Sequence, residues 1–245
     1  MTTMSEIRIG TSGWRYPQWR GDFYPRGLQQ RLELEFLSRM MDTVELNGPF
    51  YGLRKPADYQ SWYARTPDDF VFAVKAHKEI THFRRLRDAE DAIDEFFDSG
   101  VLDLREKLGP ILWQLPPTLP YRADRFAAFL EHLPGPPVRH ALEIRHRSYL
   151  VPEVTDLLTR HGVALVAAES AGRFPEPEEL TADFAYVRLH GDKELYVSEY
   201  SDEALDRWAE KIRTWSRDRD IYVYFDNTMH GAAPHDARAL ATRLP

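Results

Sequence analysis

The sequence predicts a single (β/α)8 barrel of the TIM type over residues 1–245, and three observations carry the prediction. Eight short runs rich in β-branched and aromatic residues recur along the chain. Segments with helical spacing separate most of them. The length of 245 residues suits one barrel better than two small domains. Strand and helix signals that alternate eight times favour a closed parallel barrel over an open doubly wound sheet.

The strand runs, in order, are Ile7–Ser12, Thr43–Asn47, Phe70–Ala76, Ile111–Leu115, His140–Arg145, Ala164–Glu169, Phe184–His190 and Ile221–Asn227. Between the first two, Leu28–Met41 places Leu32, Phe36, Leu37, Met40 and Met41 on one stripe, the apolar face a docking helix needs. Pro56 can open a helix to Arg65, because its missing N–H is harmless in a first turn. Asp88–Leu108, Arg122–Leu133, Pro152–His161, Asp202–Arg217 and a short Asp236–Arg243 complete the helices. After the sixth run Pro175 and Pro177 leave only a weak helical segment. No internal repeat or low-complexity linker divides the chain.

A hydrophobic content of 43%, with 13% aromatic residues, is enough for a sizeable core. The absence of cysteine excludes disulfides and thiolate metal sites. Residues 1–10 carry no apolar leader-like run, and no stretch approaches the roughly 18 apolar residues of a spanning helix. A soluble cytoplasmic protein without membrane attachment is therefore expected. A formal net charge of −7 argues against a general polyanion-binding surface, while allowing a local basic patch.

Alternation along each strand sorts side chains between the two faces of the sheet. The inward set reads Arg8, Gly10 and Ser12; Thr43, Glu45 and Asn47; Ala73, Lys75 and His77; Leu112 and Gln114; Glu143 and Arg145; Glu169; Tyr186, Arg188 and His190; Tyr222, Tyr224 and Asp226. Barrel interiors are usually filled by branched apolar side chains, and barrel enzymes place their chemistry at the carboxyl ends of the strands. Here four cations (Arg8, Lys75, Arg145, Arg188) meet four carboxylates (Glu45, Glu143, Glu169, Asp226) inside. Burying eight charges is costly even when they are paired, so a functional mouth is favoured over a network that only fixes strand register. Ion pairing of Lys75 predicts that Lys75→Met costs roughly 3–5 kcal/mol through an orphaned carboxylate.

The same residues carry a family pattern. Gly10–Trp14 (GTSGW), Trp19-Arg20-Gly21, Phe23-Tyr24-Pro25 and Thr43–Asn47 are followed in order by Phe72–Lys75, Ile80-Thr81-His82 and Lys107-Leu108-Gly109. Gln114–Pro117, Glu143–Ser148, Tyr186–Gly191 and Tyr224–Asn227 complete it. The chain resembles the YecE-like family, domain of unknown function 72, over nearly its whole length. The resemblance implies a TIM-type barrel and carries no activity, cofactor or catalytic assignment. Gly48 and Pro49 stand where that family usually has Ser and Thr, and Tyr149 where it usually has Trp.

Chemically, Glu143 and His190 are the general acid/base candidates, with Lys75 and Asp226 completing the catalytic set. Lys75, Arg145 and Arg188 form a candidate clamp for a small phosphate or carboxylate, because ammonium and planar guanidinium groups bind such anions. Ser12, Trp14, Glu45, Asn47, Gln114 and Asn227 are the remaining candidate binding residues, and backbone N–H groups near Gly231 could add to the anion site. The expected function is an enzyme, in the hydrolase, lyase or isomerase classes, acting on a small anionic substrate. The sequence requires no cofactor. A divalent metal held by Glu143, Glu169, His190 and Asp226 is a conceivable addition opposed by the neighbouring arginines, and would make a metal-dependent isomerase or phosphodiesterase. A rival reading is a non-catalytic binder of single-stranded nucleic acid, using aromatics and cations of the Trp14–Tyr24 and His77–Arg87 loops.

Overall fold

The computed structural model describes residues 5–244. Nine parallel strands form one sheet: β1 (Ile7–Ser12), β2 (Thr43–Leu46), β3 (Val71–Lys75), β4 (Leu108–Gln114), β5 (His140–Glu143), β6 (Val163–Leu165), β7 (Ala167–Glu169), β8 (Phe184–Leu189) and β9 (Asp220–Phe225). Their order is β6-β5-β4-β3-β2-β1-β9-β8-β7. The sheet ends, β6 and β7, are consecutive in the chain and are the two halves of the sixth predicted strand. β6 pairs with β5 and β7 with β8, which brings the cylinder nearly to closure. At the break, the Val166 N–H still reaches the Leu142 carbonyl at 2.9 Å.

Among the described residues eight α-helices lie between or after the strands: α1 (Glu33–Leu37), α2 (Gly48–Tyr51), α3 (Pro56–Ala64), α4 (Glu90–Asp98), α5 (Ala123–His132), α6 (Pro152–His161), α7 (Asp202–Trp215) and α8 (Ala232–Ala241). Local chemistry sets several of their ends. Pro152 opens α6 in its first turn, and Gly162, with φ +65°, closes it in the left-handed conformation that glycine adopts without strain. The Ser201 hydroxyl caps α7 by accepting from the Ala204 N–H.

Three helices differ from the sequence expectation. Gly100, at φ +103°, breaks the long Asp88–Leu108 segment into α4 and a 3-10 stretch over Val101–Lys107. The last helix begins at Ala232, four residues early. In the first, α1 is little more than one turn, so Leu34, Leu37 and Met41 are buried while Met40 is 39% exposed. Among the described residues no helix is long and apolar enough to cross a membrane.

The core has two layers. Leu46, Phe72, Val74, Trp113, Leu142, Val187, Val223 and Phe225 face the helices. Inside the barrel lie Val71, Ala73, Leu112, Ala141, Ala164, Val166, Ala168, Phe184, Tyr186, Tyr222 and Tyr224. The small alanines of β3 and β5–β7 leave room for the large side chains of β8 and β9. Gly10 is the tightest point of strand packing, since a Cβ there would sit 1.9 Å from the Thr43 carbonyl oxygen. Gly10→Ala must part β1 from β2, and a loss of about 1–3 kcal/mol is expected in denaturant titration. An unchanged midpoint would show that the two strands give way freely.

Candidate functional site

The carboxyl ends of the strands converge on one buried guanidinium. Arg188, near the end of β8, has no solvent exposure and is held on every side. Its Nε and Nη2 donate to the two Glu45 oxygens at 3.0 and 2.7 Å, a bidentate pair. Nη1 donates to Glu143 at 2.7 Å, and Nη2 also reaches Asp226 at 3.1 Å and Ser12 Oγ at 3.2 Å. Residues from β1, β2, β8 and the ends of β5 and β9 are thus tied to one group.

Further hydrogen bonds complete the shell. Ser12 and Tyr186 hydroxyls each donate to Glu45 at 2.7 Å, and Asn47 Nδ2 donates to Ser12 Oγ at 2.7 Å. Glu143 accepts from Gln114 Nε2 at 2.9 Å and from Arg145 Nε at 2.7 Å. His190 lies 3.0 Å from Asp226 through Nδ1 and 3.5 Å from Glu143 through Nε2. Three cations (Lys75, Arg145, Arg188) and three carboxylates (Glu45, Glu143, Asp226) balance in formal charge.

Electrostatics follow from this packing. Burial would raise the Glu143 carboxyl, but Arg145, Arg188 and His190 overcome it and hold it well below the usual carboxylate range. Asp226 is likewise lowered, with burial outweighed chiefly by Arg188 and His190. Lys75 moves in the unusual direction. Burial and the neighbouring Arg188 bring its amine down to about 8, against the opposing pull of Glu45, Asp226 and Glu143.

Above this network opens a mouth of about 670 Å³. Lys75, Gln114, Asn47, Arg188 and Asp226 line it, with Tyr16, Phe50, Tyr51, Lys78, His82, Phe83, Tyr196 and Thr228. The Lys75 amine sits 4.1 Å from the centre of the Phe50 ring. Among the described residues no carboxylate lies within ion-pairing distance of it. Arg145 packs over Phe174 at 4.4 Å.

Lys75, Glu143, Arg188 and Asp226 therefore meet at one end of the barrel, while several other expectations are corrected. Lys75 is unpaired, so the expected cost of Lys75→Met through an orphaned carboxylate does not apply. Glu143 and His190 are only 1% and 0% exposed, which puts them beneath the mouth. Asn227 has the opposite parity to Asp226 and points to the helix layer, where its amide donates to Ser198 O and Asp236. Glu169 points outward too, since Ala164, Val166 and Ala168 take the inward positions, and it accepts from Trp208 Nε1. Arg8 lies at the amino end, bonded to Asp69 O and Glu6. The Gly231 N–H is directed to Thr228 O at 3.4 Å. Trp14 borders a separate, smaller chamber.

The loop aromatics are mostly packing. Trp19 and Tyr24 have no exposure, Phe23 is 7% exposed, and only Tyr51 and Phe83 stand out at 68% and 64%. Arg84 is paired with Glu79 and Asp91, and Arg85 donates to Thr118. The residues named for a divalent metal do not fit one. Glu169 is outside the cluster, and the Arg188 guanidinium stands between Glu143 and Asp226, where a cation would have to sit. Phe174, Tyr196 and Thr228 were missed by sequence reasoning, because they lie on loops where no periodicity assigns a direction.

Fold and site define a class: single-sheet parallel β/α barrels whose carboxyl end is filled by a balanced charge network. The chain belongs to the family described as protein of unknown function DUF72, whose family model matches residues 8–245. It is 26% identical to the UPF0759 protein YecE of Escherichia coli K12, over 93% of this chain and 89% of that protein. With YunF of Bacillus subtilis strain 168 the identity is 24%, over 97% and 94%. A DUF72 family crystal structure from Thermotoga maritima shares 26% identity at a TM-score of 0.87, covering 97% of this chain and 98% of that one. A D-psicose 3-epimerase from Clostridium cellulolyticum H10 shares the fold alone, at TM-score 0.55 and 12% identity over 95% and 89%.

Proposed function

We propose that this protein is an enzyme that binds a small anionic substrate in the carboxyl-end mouth and moves a proton between it and Lys75, with Asp226 as a fixed hydrogen-bond acceptor. The observation that carries the reading is the Lys75 amine, buried in the mouth with an aromatic face beneath it and no carboxylate paired to it. Arg188 is saturated by Glu45, Glu143 and Asp226, so it positions the site and leaves anion binding to Lys75. Arg145 assists, because its Nε is spent on Glu143 while the side chain as a whole remains about 10% exposed.

The two mouth residues have opposite character. Asp226, which Arg188 and His190 hold well below the usual carboxylate range, stays ionised and accepts a hydrogen bond from the substrate, not its proton. Lys75, with its amine near 8, gives or takes one close to working pH, the range in which an acid/base catalyst is most effective. Glu143 and His190 act through Arg188, Arg145 and Asp226 without touching the substrate. The single-stranded nucleic-acid reading lacks a comparable observation, since its aromatics are largely buried.

Sulfate tests the anion site, because its charge is constant across the relevant pH range. Calorimetric titration at pH 7 is expected to show one site, weakened about tenfold or more in Lys75→Met, as for loss of one charge-assisted contact. Sulfate binds the protonated amine. Affinity should therefore hold below pH 8 and fall as pH rises through the Lys75 value of about 8. Absence of sulfate binding, or binding indifferent to Lys75, overturns the reading.

A further inference from the structure

Beside the mouth lies a second chamber of about 240 Å³ that the charge network does not use. Its walls are the two indoles of Trp14 and Trp62, with Leu46 and the arginines Arg15 and Arg54. The indole rings meet edge to face, 5.9 Å apart at 83°. Tyr16 and Asn47 border both this chamber and the mouth, so the two spaces adjoin. No acidic residue lines the chamber.

Two residues of its wall each carry a buried polar atom with no partner. The Ser12 hydroxyl gives its proton to Glu45, so Asn47 must turn its Nδ2 toward Ser12. Asn47 Oδ1 then faces away and has no partner. Arg54 donates from Nη2 to the Gly48 carbonyl at 3.0 Å, while its Nε is buried without a partner. Gly48 makes this position possible, since a Cβ there would come within 2.9 Å of Arg54 Nη2. Buried donors and acceptors left unmade are uncommon in folded proteins and point to a missing partner.

We propose that the substrate has two parts, an anionic head in the mouth and a flat aromatic or heteroaromatic ring in the Trp14–Trp62 chamber, linked past Tyr16 and Asn47. This rests on the anion reading of the mouth and adds the chemical class of what the anion is attached to. The chamber is the right size, given that an apolar cavity of about 150 Å³ accepts benzene. Indole faces and edges favour a planar ring. Arg54 Nε and Asn47 Oδ1, unpartnered behind the chamber surface, become one donor and one acceptor for heteroatoms on the ring edge once their side chains turn toward it.

Phenyl phosphate and methyl phosphate carry the same charged head and differ in the ring, so calorimetry with both at pH 7 separates the two spaces. Wild type is expected to bind phenyl phosphate at least tenfold more tightly than methyl phosphate. Trp62→Ala should abolish that advantage while methyl phosphate binds as before, which also shows that the variant is folded. Trp62→Phe, which keeps a ring, should restore much of it. Equal affinities in wild type, or a phenyl advantage that survives Trp62→Ala, overturns the two-part substrate and leaves the anion site standing. If neither ester binds wild type, the mouth reading fails and this inference fails with it.

Discussion

Arg188→Met is expected to destabilise the barrel by about 3–5 kcal/mol at pH 7, because it leaves Glu45, Glu143 and Asp226 buried around a vanished charge. For a chain of this size that corresponds to a fall in Tm of roughly 6–20 °C. The pH dependence separates this cause from simple loss of packing. In wild type, Glu143 and Asp226 have lowered folded pKa values. Their contribution is present above the ordinary carboxylate range and is lost as pH falls through the folded values. Without Arg188 the same groups lose one of their lowering partners, so their folded values move up and less of that contribution remains at pH 7. The Tm gap between wild type and variant should therefore be widest near pH 7 and narrow toward pH 4. A gap that stays constant over that interval would show that the guanidinium acts by volume alone.

Lys75→Met should do the reverse to stability while weakening anion binding. The Lys75 amine is lowered from its ordinary 10.5 to about 8, so the folded protein binds this proton less well than the unfolded chain. Protonated Lys75 therefore opposes folding below pH 8 by up to about 3 kcal/mol. Wild-type stability rises between pH 8 and 10.5, as the unfolded chain holds the proton that the folded protein has released. Loss of the contact with Phe50 offsets part of the gain, by about 0.5–2 kcal/mol. At pH 7 the variant should melt at or above the wild-type temperature, with a flatter profile from pH 8 to 10.5. A large loss of stability at neutral pH would mean that Lys75 is paired after all. A site that gives up stability to keep an unpartnered charge is the stability–function compromise common in enzymes.

The arrangement of Glu45, Arg188 and Glu143 shows how far alternation reaches. Each lies within or near the end of a regular parallel strand, where neighbours in register fix the inward parity, and the hydrogen-bonded strands carry the three side chains to the same level. Lys75 and Asp226 follow for the same reason. Asn227 and Glu169 show the limit, because one step in parity moves a side chain from barrel interior to helix layer.

What the sequence determined by itself was therefore the periodic part: the strands and their order, most of the helices, the family pattern from Gly10 to Asn227, and six of the eight charges it placed together inside the barrel. Tertiary structure alone decided the pairing within the barrel mouth. Alternation assigns a face to each side chain but no distances, so it could not tell that Arg188 takes three carboxylates and leaves none for Lys75. Nor could it place Trp14, because the residue lies on a loop after β1, and loop direction is set by what the loop packs against. Its neighbour Trp62 comes from α3, 48 positions along the chain, and only folding brings the two rings together to make a chamber beside the mouth.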